Sequence, residues 1–175
     1  MKNLKTILAA TALAASSFFT PATAGTRGDY AELVDTLQAA GFTFEVNARD
    51  CKNDIDGFYS GRKRRVVICQ DKSYAGGPLR AFTANDLDTI RHEVHHVVQD
   101  CMDRRIGNGG QPVYNDPEEL ITDQLSTRQI KGIISSYARN GVDRHQILNE
   151  LEAFAVADMN DVREQIKDIR TYCFK

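Results

Sequence analysis

Three of the four histidines in this 175-residue sequence fall within five consecutive positions, His92-Glu93-Val94-His95-His96. Read as H-E-x-x-H, the stretch demands a helix. At 3.6 residues per turn, His92 and His96 return to one face and can grip a single ion together. Glu93 lies about 100° round from His92, within reach of a water on that ion without being a ligand itself.

The flanking residues predict the same element. Leu87, Ile90, Val94, Val97, Val98 and Cys101 recur at spacings of three and four, making one apolar stripe, with His92 and His96 nearly opposite its centre. Thr83 can cap the start, with Asp86 as its reciprocal partner. Gly107, Gly109 and Gly110 end the helix soon after about residue 104. His95 points away from the pair and reads as a surface residue beside the cleft.

The first 24 residues read as a leader. Lys2 and Lys5 precede an apolar, alanine-rich run from Thr6 to Phe19, and Ala22-Thr23-Ala24 gives an A-x-A site. This is the pattern of a secretory signal peptide cut after Ala24. The expected mature chain, residues 25–175, is a single exported domain, secreted or periplasmic, with no stable membrane insertion. Loss of Lys2 and Lys5 takes the net charge from −2 to −4, so no basic field argues for a nucleic-acid partner. The run Arg62-Lys63-Arg64-Arg65 reads first as a solvated hairpin and second as a selector of acidic substrates.

Four cysteines in an exported chain suggest two disulfides, and three pairings are open. The expected pairs are Cys51–Cys69, tying two strands, and Cys101–Cys173, pinning the C-terminus to the motif helix. A cysteine zinc site would want a C-x-x-C spacing, which the sequence does not contain.

The pattern predicts an α+β fold: a small antiparallel sheet, then the motif helix, then C-terminal helices. A first helix covers Tyr30 to Ala40, and strands cover Phe42 to Val46, Phe58 to Ser60 and Arg65 to Cys69. Turn residues occupy Asn53 to Gly57. Asp116, Pro117 and Glu119 start a helix expected to reach about Ala138 with a break near Gly132. Asp143 with Gln146 starts the next, and a last helix carries Val162, Ile166 and Ile169.

With its two histidines and glutamate, the motif resembles the zincin metallopeptidases. In the gluzincin branch the third zinc ligand is a glutamate on a later helix, often with a small residue at i+3. Residues 149–155 offer that twice, as Glu150 with Ala153 and as Glu152 with Ala155. Glu152 is the expected ligand, because Ala155, Val156 and Met159 continue its face into the interior. Glu150 is the alternative, with Glu118, Glu119 and Asp123 as outside candidates. Gln99 and Met102 stand where the metzincin motif has glycine and histidine, and Val156 where thermolysin-like enzymes have an aspartate. The partner of a ligand histidine is thus unassigned.

The resemblance implies a Zn²⁺ peptidase that acts on a protein or peptide, with a zinc-bound water activated by Glu93. Tyr137 or His145 would serve as oxyanion donor, and the edge of the strand from Arg65 to Cys69 would bind the substrate. The rival readings are a zinc-binding protein without hydrolysis and a metal-free envelope interaction module.

Overall fold

The computed structural model describes residues 27–51, 55–70, 79–102, 104–159 and 161–174. The expected leader and its cleavage after Ala24 lie outside the described residues, as do positions 53 and 54 of the expected turn. Among the described residues, six α-helices and three short strands run in the order α1 (Arg27–Ala39), β1 (Thr43–Val46), β2 (Gly57–Ser60), β3 (Arg65–Ile68), α2 (Ala84–Met102), α3 (Pro117–Gln124), α4 (Thr127–Arg139), α5 (Arg144–Met159) and α6 (Val162–Tyr172).

The fold is α+β, and its sheet is mixed rather than antiparallel. The order is β1-β3-β2, with β1 parallel and β2 antiparallel to β3. The tight turn Gly61–Lys63 folds β2 back onto β3 as a hairpin. β1 and β2 both pair with β3, the first in the same direction and the second in the opposite one.

Being central, β3 is buried on both faces, which explains its unbroken run of valines and isoleucine. Val66 and Ile68 face the main core, and Val67 faces a smaller cluster with Cys51, Ile55 and Cys69. The expectation that this strand offers an edge to substrate is therefore corrected: both of its edges are taken by β1 and β2.

The main core gathers Leu33 and Leu37 of α1, Val66 and Ile68 of β3, Val94, Val97 and Val98 of α2, and Val162, Ile166 and Ile169 of α6. A second cluster joins α3, α4 and α5 through Ile121, Leu125, Ile133, Tyr137, Leu151 and Ala155. Arg91 braces the layers from inside. Its Nε donates to the Ala157 carbonyl at 2.8 Å, its Nη1 donates to the Tyr30 hydroxyl at 2.9 Å, and it pairs with Asp88.

Both expected disulfides are present, Cys51–Cys69 and Cys101–Cys173. The reciprocal Thr83–Asp86 cap forms at the start of α2. Asp116 caps α3 and Asp143 caps α5 as expected. The expected break near Gly132 lies instead at Leu125, because Ser126 and Gln129 form a capping box that starts α4 afresh. Of the basic run, Arg62, Lys63 and Arg64 are exposed, while Arg65 pairs with Glu45 and Asp50. No helix among the described residues is long and apolar enough to cross a membrane.

Candidate metal centre

Helix α2 presents His92 and His96 one turn apart, as the spacing requires, and α5 packs across it to bring a carboxylate to both. The carboxylate is Glu150. Its Oε2 stands 3.3 Å from His92 Nε2 and 3.5 Å from His96 Nε2, and the two nitrogens are 3.1 Å apart. The three ligand atoms are close enough to share one ion, and their chemistry, two imidazoles and one carboxylate, is a set that can hold a divalent metal. All three side chains are largely buried but keep some exposure, 11% for His92, 15% for His96 and 21% for Glu150. His92, Glu93, His96 and the distal Glu150 together match a site of the zincin type.

The expected ligand Glu152 is not in this group. It is fully buried and faces the opposite way. Its carboxylate accepts hydrogen bonds from His95 Nε2 at 3.0 Å, Gln99 Nε2 at 2.8 Å, the Val113 backbone at 2.9 Å and the Tyr114 backbone at 2.9 Å. Two residues on a helix lie roughly 200° apart, so α5 sends one glutamate to the histidine pair and the other inward. The inward face is where the sequence places Glu152, but a metal that meets a substrate needs the half-open rim, which Glu150 occupies. His95 is likewise not on the surface; it is 1% exposed, against Glu152. Glu118, Glu119 and Asp123 are exposed on α3, outside the group.

Glu93 is buried next to the pair and accepts a hydrogen bond from the Tyr59 backbone of β2. Burial pushes its carboxyl above the ordinary range, against the pull of His92 and His96. Burial draws the His96 imidazole down, but the Glu150 carboxylate and its hydrogen bond outweigh this and lift it to about 10. The same partnership holds Glu150 well below the usual carboxylate range despite the opposing effect of burial. These are the reciprocal signs of one tightly coupled group.

Tyr137 and His145 go to different places. The Tyr137 hydroxyl, on α4, donates to Glu150 Oε2 at 2.7 Å. His145 donates from Nε2 to the Gly110 carbonyl at 3.0 Å, in the loop after α2.

Two further residues at the site escaped the sequence reading. Phe154, one turn after Glu150, packs on the His92 ring with centroids 4.3 Å apart. Gln99, one turn after His96, places its Oε1 2.8 Å from His96 Nδ1. The available signal for Gln99 was a polar residue set among the valines of a helix that had to be buried.

A protein family described as "Domain of unknown function (DUF8637)" matches residues 26–174 of the chain. No curated protein and no solved structure matches it.

Proposed function

We propose that this chain, which belongs to the DUF8637 family over residues 26–174, is an exported zinc-dependent peptidase. The reading is carried by the triangle of Nε2, Nε2 and Oε2 atoms, with edges of 3.1, 3.3 and 3.5 Å. Ligand atoms at about 2.0–2.1 Å from a tetrahedral zinc stand about 3.3 to 3.4 Å apart. Three protein ligands leave a fourth position open, as catalytic rather than structural zinc sites do. The leader-like residues 1–24 support export.

Zn²⁺ at this place supplies Lewis acidity, polarising a substrate carbonyl and acidifying water. The chain's own residues do the rest. Glu93 takes the proton of the attacking water and returns it to the leaving amine, a role its position beside both histidines suits. Of the two candidates for oxyanion donor, Tyr137 is the one that touches the trio; its single hydroxyl hydrogen is given to Glu150, so it orients that carboxylate and would have to turn away from it to meet an oxyanion. A protein or peptide substrate is the natural partner of such a site. The intact Glu93 favours hydrolysis over metal binding alone.

The test is metal content by mass spectrometry beside a peptidase assay on the mature protein. The unmodified chain should carry one zinc, Glu150→Ala should lose it, and Glu93→Gln should keep it while activity falls about 10²–10⁴-fold. A folded, unmodified chain that takes up no supplied zinc would overturn the proposal.

A further inference from the structure

We propose that Gln99, oriented by the buried Glu152, is the positioning residue that fixes the tautomer and ring plane of His96. The inference rests on the trio being the metal site and extends it to what aims one of its ligands.

Gln99 has one acceptor end and one donor end on its amide. Its Nε2 sits 2.9 Å from the Asn149 carbonyl and 2.8 Å from Glu152 Oε2, two groups that only accept. The NH₂ end must therefore face them, and both of its hydrogens are used. This turns Oε1 toward His96 Nδ1 at 2.8 Å. An amide oxygen only accepts, so Nδ1 must carry the hydrogen. When the ring gives up its second proton to bind an ion, the lone pair is then on Nε2, the nitrogen that faces His92 and Glu150. In metal sites such a partner sets the tautomer and orientation of the ligand ring.

Glu152 gives the arrangement its rigidity. It is 0% exposed, and Gln99 is 1% exposed, so water does not compete for either. The Val113 and Tyr114 backbone donors and His95 hold the carboxylate in place, and it in turn holds the amide. His92 offers the contrast. Its Nδ1 is buried with no hydrogen-bond partner among the described residues, and its ring leans on Phe154. The site thus has one histidine locked by hydrogen bonds and one held by packing.

The first experiment is ¹⁵N NMR of the histidines in the unmodified protein, with and without Zn²⁺. His96 Nδ1 should carry a slowly exchanging proton in both samples; an unprotonated Nδ1 in either would overturn the assignment. The second is Zn²⁺ affinity by chelator competition, with the visible spectrum of bound Co²⁺ as a measure of ligand geometry and thermal melting as a control for folding. Gln99→Leu should bind Zn²⁺ about 10–100-fold more weakly and shift the Co²⁺ bands. A folded Gln99→Leu chain with unchanged affinity and spectrum would overturn the proposal. The exchange Gln99→Glu with Glu152→Gln keeps an acceptor toward His96 and a donor behind it. It should bind more tightly than Gln99→Glu alone, and a folded pair that does not would count against the relay. If the unmodified chain binds no Zn²⁺ while the ring, titrated to its neutral form, still keeps its proton on Nδ1, the functional reading fails and the tautomer assignment stands.

Discussion

Asp158, near the end of α5, shows how single residues set the response of this fold to pH. Burial, with the Asp88 charge adding to it and Arg91 opposing, pushes its carboxyl up to about 6 from an ordinary 3.8. The folded chain therefore holds this proton to higher pH than the unfolded chain does. The associated stability is fully present below about pH 4 and is lost as the pH rises through 6. Screened by partial exposure, the cost at pH 8 is on the order of 1 kcal/mol. Asp158→Asn should raise Tm by about 2–4 °C at pH 8 and leave it nearly unchanged at pH 4, measured by thermal melts at the two pH values. The same scale shows what the sequence could reveal of the site. His92, Glu93 and His96 were legible because helix geometry alone brings them together. Glu150 against Glu152 was not, because both lie on α5 and the choice depends on which side α2 crosses. Gln99 was hidden for a related reason: its value lies in contacts with Asn149 and Glu152, 50 or more positions away.

Among the elements, β2 and α2 approach each other closely at Gly57. A Cβ built there would stand 2.6 Å from Thr89 Cγ2 and 2.7 Å from the Val67 carbonyl oxygen, closer than real contacts allow. Glycine thus lets the hairpin lie against the motif helix, and two residues on, Tyr59 reaches Glu93 through its backbone. Gly57→Ala should cost about 1–3 kcal/mol through the forced separation, read as a fall in the denaturant midpoint with little change in slope. The helices and strands themselves were largely readable, since caps such as Thr83, Asp116 and Asp143 announce where helices begin. Two features were not. The break between α3 and α4 falls at the Ser126 capping box, whereas Gly132 stays inside α4, where a helical glycine costs only about 1 kcal/mol. The parallel pairing of β1 with β3 is a matter of strand order and direction, which alternation along a strand does not record.

For the whole molecule, the two disulfides close loops of very different size, with sequence separations of 18 and 72. The longer one ties the end of α2 to the chain end beyond α6, and so holds α6 against the helix that bears the site. In the chain-entropy account, its greater loop length is worth about 1 kcal/mol more. Replacing Cys101 and Cys173 with serine should therefore lower Tm further than replacing Cys51 and Cys69, with differential scanning calorimetry as the measurement. Equal losses would mean that native packing, and not loop closure, dominates.

The strand order has a consequence for how such a chain comes into being. β1 and β2 are never hydrogen-bonded neighbours; each pairs only with β3, the last of the three in the chain. When a polypeptide emerges N-terminus first, from a ribosome or through a membrane pore, no rung of this sheet can close until Arg65 to Ile68 has followed. Until then β1 and β2 travel unpaired, and the sheet and the core it shares with α2 are assembled late, nearly together.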